Sequence, residues 1–169
     1  MARGTAKGQG GLRLVAWAAA AIFVLDQVTK AWIVHGLDLA TRGAIDVFPP
    51  YLNLRMAWNR GINFGLFADD AAATRWILIS VALGIVLFVL VWMRRDPPGR
   101  FGLLCAGVLI GGALGNVVDR VIYGAVADFL NMSCCGIVNP YAFNVADIAI
   151  FAGAIGLALA PDGRGKKAP

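Results

Sequence analysis

The chain has 169 residues, 59% of them hydrophobic, and a mean hydropathy of +0.72. A soluble domain is nearer roughly 45–50% apolar, so the excess, gathered in long runs, points to a bilayer as solvent. The formal net charge of +5 is carried mostly at the ends of apolar runs, which reads as membrane topology and excludes nucleic acid as the partner.

Met1 to Arg13 is glycine-rich and basic and reads as a disordered cytoplasmic tail. Leu14 to Val34 is the first apolar run, and its length suits the ~20 residues that a transmembrane helix needs. A cleaved signal peptide would show the same basic head and apolar core. Asp26 and Lys30 interrupt the run late, however, and no A-x-A site follows, which favours an uncleaved helix. Asp26 and Lys30 stand four apart on one helix face. They read either as a self-neutralising pair with Lys30 snorkelling to the interface, or as support for a site.

Gly36 to Asp70 is too polar to span. Within it, Tyr51 to Asn59 alternates apolar residues with polar or small ones and predicts a half-buried strand, with Pro49-Pro50 at its start and a turn at Gly61. Ile62, Phe64 and Leu66 alternate again. Together these predict a small extracytoplasmic β-platform on the membrane surface. Ala71 to Met93 is the second apolar helix, with Arg75, Trp76 and Trp92 at its ends, and Arg94 to Arg100 is a basic turn.

Phe101 to Tyr123 is the third helix. Gly107, Gly111 and Gly115 form a small-residue stripe of the kind that lets membrane helices approach closely. Asn116, Asp119 and Arg120 follow near its end, with Asp119 and Arg120 expected as a half-buried charge pair. Gly124 to Pro140 reads as a loop, Tyr141 to Ala160 as the fourth helix, and the last residues as a basic tail. Asn144 and Asp147 share a face in the fourth helix's first turns, and Ala149, Gly153, Gly156 and Ala160 form a second small-residue stripe.

The fold class expected is therefore mainly α: a polytopic membrane protein of four spans with a small sheet between the first and second. The N-terminal tail, the turn at 94–100 and the C-terminal tail each hold three Lys or Arg. That bias places both termini in the cytoplasm. Asp128 and Asp147 then both fall near the outer face.

Two carboxylates meeting in a partly desolvated site tend to share one proton. The ionised one can activate water while the protonated one stabilises the oxyanion, as in aspartic proteases. This chemistry needs no histidine. The single histidine, His35, is all that a His-dependent hydrolase would have. Cys105, Cys134 and Cys135 lack CxxC spacing, so no metal site is expected. The alternative is a non-enzymatic protein in which the Asp pair is a proton relay or a polar cluster joining helices.

Five blocks occur in order: Phe23-Val-Leu-Asp-Gln-Val-Thr-Lys30, Trp58-Asn-Arg-Gly61, Gly111-Gly-Ala-Leu-Gly-Asn-Val-Val-Asp-Arg120, Val126-Ala-Asp-Phe129 and Phe143-Asn-Val-Ala-Asp147. This series resembles bacterial lipoprotein signal peptidase, signal peptidase II. The resemblance implies a membrane aspartic endopeptidase that cleaves diacylglyceryl-modified prolipoproteins before the lipidated cysteine, near the outer side of the cytoplasmic membrane. It implies Asp128 and Asp147 as the catalytic pair. Asp26, Lys30, Asn59, Gly61, Asn116, Asp119, Arg120, Asn144 and Ala146 match supporting or substrate-binding positions. No cofactor is implied. The partners expected are prolipoproteins and membrane lipids, with no nucleic acid, and the chain is expected to act as a monomer. Arg60, Asn63 and Gly65 depart from the family's pattern beside the presumed substrate groove. Pro140 stands one residue further from Asn144 than is usual, and the Cys134-Cys135 loop is unfamiliar.

Overall fold

The structure is a computed structural model and describes residues 3–61 and 71–161. The alternating Ile62, Phe64 and Leu66 therefore lie outside the described residues, as does the basic C-terminal tail after Pro161.

The first helix, α1, runs Arg3–Lys30 and continues as a π-helical stretch over Ala31–Gly36. The expected disordered tail is thus corrected: helix begins at Arg3, well before the apolar run. Asp38 and Gly43, both at positive φ, bracket the single turn α2 (Leu39–Arg42) and swing the chain into β1 (Ala44–Phe48). A turn at Pro49-Pro50 leads into β2 (Leu52–Asn59). Helices α3 (Ala71–Arg95) and α4 (Arg100–Tyr123) follow, then β3 (Val126–Asn131) and α5 (Val145–Leu159).

The sheet has three antiparallel strands in the order β1-β2-β3. Its third strand comes from the segment expected to be a loop, so the sheet is not completed between the first two long helices. Gly124, at φ 75° in the left-handed region that glycine tolerates, ends α4 and turns the chain back. After Ala125, β3 then pairs with β2: Asn53 opposite Asn131, Leu54 opposite Leu130, Ala57 opposite Asp128. The fourth helix also starts later than expected, at Val145. Phe143 bridges to Leu130 and adds itself to the sheet edge, and Asn144 caps the helix.

Among the described residues three helices are long and apolar enough to cross a membrane: Gly10–Gly36, Ala72–Arg95 and Arg100–Tyr123. With 15 residues, α5 is shorter. Much of the surface of α3 is apolar and exposed, including Leu87 and Phe88, as a lipid-facing helix requires.

Helix α4 is the centre of the bundle and touches α1, α3 and α5. Its glycines make this possible. A Cβ on Gly111 would stand 2.5 Å from the backbone oxygen of Ala19 in α1, and one on Gly112 would stand 2.5 Å from that of Ala146 in α5. Two helices thus lie at near backbone contact on α4, which brings Asp26 of α1 and Asn144 of the α5 cap to the same level as Asn116. A second apolar cluster joins Ile33, Val34 and Leu39 to Leu54, Ala127 and Phe129, and fixes the sheet to the end of α1.

Candidate active site

Asp128 sits on β3, a strand held from both sides, and is 2% exposed. Its Oδ2 accepts from Asn59 Nδ2 at 3.0 Å and its Oδ1 from Asn144 Nδ2 at 2.6 Å. Asn59 is two residues beyond Ala57, the partner of Asp128, so it reaches diagonally along the ladder. Its own Oδ1 accepts from the Gly61 backbone N–H at 2.9 Å, which turns the chain tightly after β2. Gly61 has φ 99°, and a Cβ there would also collide with Leu78, so glycine is required.

Asp147 occupies the third position of α5. There it completes a reciprocal cap: its backbone N–H donates to Asn144 Oδ1 at 2.9 Å, and its Oδ2 accepts from the Asn144 backbone N–H at 3.2 Å. Its other oxygen accepts from Asn116 Nδ2 at 2.8 Å. Asn144 therefore binds both aspartates, one through its side chain and one through its backbone.

Burial pushes the carboxyl group of Asp128 from its ordinary value of 3.8 up to about 6, the charge of Asp147 adds to the rise, and the two asparagine hydrogen bonds oppose it. A carboxyl group raised in this way beside a second aspartate is what an aspartate dyad requires.

Beneath the dyad lies a buried charge network. Lys30, 6% exposed, donates to Asp26 Oδ2 (2.8 Å) and Asn116 Oδ1 (3.3 Å) and forms a second ion pair with Asp119 Oδ2 at 2.8 Å. Asp26 also accepts from the Ala146 backbone N–H at 2.9 Å, at the start of α5, and Asp119 from the Ala127 backbone N–H at 3.1 Å, beside Asp128. Through these bonds the network holds the two segments that carry the dyad.

Two expectations are corrected here. Lys30 does not snorkel; it is buried and has two carboxylate partners. Asp119 does not pair with Arg120. Neighbours in a helix point about 100° apart, and Asp119 turns toward α1. Arg120 instead donates to the Asn116 backbone oxygen at 3.3 Å, close enough to Asp147, Asp128 and Asp119 for its charge to act on each. Gln27, which sequence reasoning left without a role, bridges Asp26 and Asp119 at 3.1 Å each. Its only sequence signal was its place between Asp26 and Lys30. His35 lies against Tyr123, with ring centroids 6.5 Å apart. Among the described residues no cluster of three or more His, Cys, Asp or Glu is placed to hold a metal ion.

The structure thus brings together Asp26, Lys30, Asn59, Asn116, Asp119, Asp128, Asn144, Ala146 and Asp147 in one hydrogen-bonded cluster, with Gly61 and Arg120 at its edge. The pattern that defines the family described as signal peptidase (SPase) II matches residues 18–161. The chain belongs to that family. A lipoprotein signal peptidase of Methylorubrum extorquens is 42% identical over 139 residues, covering 82% of this chain and 80% of that protein. One from Methylobacterium radiotolerans is 40% identical over 148 residues, covering 86% and 85%. A solved structure described as a bacterial membrane enzyme, determined by the in meso method, superposes with a TM-score of 0.70 at 26% identity, over 85% of this chain and 89% of that one. The membrane reading thus rests on family membership as well as on composition, and the peptidase reading on family membership.

Proposed function

We propose that this family member is an aspartic endopeptidase that removes signal peptides from diacylglyceryl-modified prolipoproteins, cutting before the lipidated cysteine. The observation that carries the reading is the Asn144 bridge, which sets Asp128 and Asp147 side by side with one strongly shifted toward the protonated form. Asp147, at the N-terminus of α5 where the helix dipole favours negative charge, takes a proton from water. The water oxygen bonds to the scissile carbonyl carbon while Asp128 gives its proton to the carbonyl oxygen. The tetrahedral intermediate, now a diol, collapses: the C–N bond breaks, the proton held by Asp147 passes to the leaving nitrogen, and one diol hydroxyl returns its proton to Asp128 as the new carboxylic acid forms. Asn59, Asn116 and Asn144 keep the oxygens aimed without adding charge.

The protein acts in the bacterial cytoplasmic membrane as a monomer with four spans and both termini cytoplasmic. The sheet lies outside and the dyad near the outer face, where a diacylglyceryl group stays in the bilayer while the peptide enters the site. The test is purified protein with a lipid-modified precursor and its unmodified form. Cleavage confined to the modified precursor, and abolished by Asp128→Asn or Asp147→Asn in folded protein, supports the proposal. Equal turnover of both precursors removes the lipid from the reading, and substantial residual cleavage by either variant removes that residue from the mechanism.

A further inference from the structure

A pocket of about 470 Å³ lies between the β1–β2 hairpin and the segment 133–142, and neither aspartate of the dyad lines it. Its walls include Pro50, Met56, Val138 and Pro140, with Asn53 and Ala57 from β2. One wall is fixed in place. Asn131 Nδ2 donates to the backbone oxygens of Asn139 and Tyr141 at 2.8 Å each, and the Asn139 backbone N–H donates to Ser133 Oγ at 3.1 Å.

Asn53 is 7% exposed, and its Oδ1 is buried without a hydrogen-bond partner. A buried acceptor left unpaired costs folding free energy, so its presence in a pocket wall points to a donor that arrives with a ligand. The charged residues at the rim, Asp46 and Arg55, neutralise each other at 2.7 Å. The pocket therefore selects a neutral, partly apolar ligand with an N–H to give, which is the chemistry of a peptide backbone.

The pocket's position narrows the choice. All its lining residues come from β1, β2, the turn between them and the 131–142 region, and none from the long helices. Ala57 lines it and stands opposite Asp128 in the sheet. From Ala57 back to Asn53 the strand covers roughly 13 Å, the length of about four extended residues. In the cleavage reading above, on which this inference rests, the signal peptide lies in the membrane. Only the polypeptide after the lipidated cysteine lies outside. We infer that this pocket holds the first residues following the lipidated cysteine, in extended form, with a backbone N–H donating to Asn53 Oδ1.

The test uses two lipid-modified precursors that are identical through the cysteine. One ends there as an amide, and the other continues for four residues. The full-length protein should show a KM for the extended precursor lower by roughly fivefold, the worth of one net hydrogen bond. Asn53→Leu should bring the two KM values together. So should Val138→Trp, which fills the pocket from a position 85% exposed and thus safe for folding. Methylating the backbone nitrogens of the extension should have the same effect in the wild-type protein. Equal KM values in the wild type overturn the inference, and are what a lipid headgroup in the pocket would give. A preference that survives both variants also overturns it. If the wild type cleaves neither precursor, it is the cleavage reading that fails, and this inference with it.

Discussion

Asn144 joins two aspartates without adding a charge, so the protonation of Asp128 is governed by burial and by the charge of Asp147. Burial and the Asp147 charge raise Asp128 to about 6. Its protonated fraction falls as pH rises through that value, so kcat/KM should decline on the alkaline side with a midpoint near 6, measured as initial rates on a lipidated precursor. The same shift acts on stability. Between 3.8 and about 6 the folded protein holds more of this proton than the unfolded chain does, so stability falls as pH rises through that window and stays reduced above it. Asp128→Asn should flatten this part of the melting-temperature profile as well as abolish cleavage. Lys30 carries a different prediction. Lys30→Met leaves Asp26 and Asp119 facing each other without a cation, and removing one partner of a buried pair costs roughly 3–5 kcal/mol. Its melting temperature in detergent should therefore fall further than that of Asp119→Asn, which keeps the Asp26–Lys30 pair. Equal losses would mean that Lys30 serves one carboxylate only. The local half of this network was legible, because Asp26 and Lys30 are a helical i,i+4 pair. The Asp119 half was not, because spacing within one helix says nothing about which neighbour a side chain turns to.

At the scale of the element, the glycines of α4 and α5 set how deep the dyad is drawn together. A Cβ on Gly112 would stand 3.1 Å from both Ala149 Cβ and Ile150 Cγ1, besides its 2.5 Å approach to the Ala146 oxygen. One on Gly153 would meet the backbone of Cys105 and Leu109 at 2.7 Å. Gly112→Ala must push away the first turn of α5, which carries Asp147, and overpacking of this kind costs typically ~1–3 kcal/mol. Gly84 in α3 has nothing within 4 Å of its Cβ position. Gly84→Ala should leave cleavage unchanged and hold or raise the melting temperature, since alanine favours helix by about 0.5–1 kcal/mol. Gly112→Ala should lower both. Indifference to both substitutions would remove close packing from the account of the site. The two small-residue stripes were readable from periodicity, but not which helices they bring together: α4 lies on α1 as well as on α5. The third strand was not: Val126–Asn131 is six residues long, and its alternation gains meaning only once β2 lies beside it. The start of α5 was missed for a related reason. Tyr141 to Phe143 is as compatible with helix as its neighbours by composition, but Phe143 is held by backbone bonds with Leu130.

For the whole molecule the open quantity is how many times the chain crosses the membrane. At about 1.5 Å per residue, α5 is ~22 Å long, less than the ~30 Å of a hydrocarbon core. It runs beside α4 from Asn116, level with its cap, down to Gly102, whose Cβ would meet Ala160. The last seven residues of α4, Val117 to Tyr123, extend beyond the start of α5, by roughly 10 Å at helical rise. The dyad is therefore recessed below the Tyr123 end of α4, and the short α5 completes a crossing only if its N-terminus starts within the bilayer edge. Such a start is helped by Phe143, whose backbone N–H and oxygen are bonded to β3 just before the helix cap. Native thiols make the test simple. Cys134 and Cys135 are exposed in the 133–142 segment, and Cys105 is buried in α4. A membrane-impermeant maleimide applied to intact spheroplasts should label the wild-type protein. In a Cys134→Ser/Cys135→Ser background, Gly99→Cys and Pro161→Cys should both stay unlabelled until the membrane is lysed. Labelling of Pro161→Cys but not Gly99→Cys from outside would mean that α5 turns back and the chain spans three times. Labelling of both from outside, with the wild-type protein unlabelled, would invert the whole arrangement and put the dyad on the cytoplasmic side, away from any exported precursor.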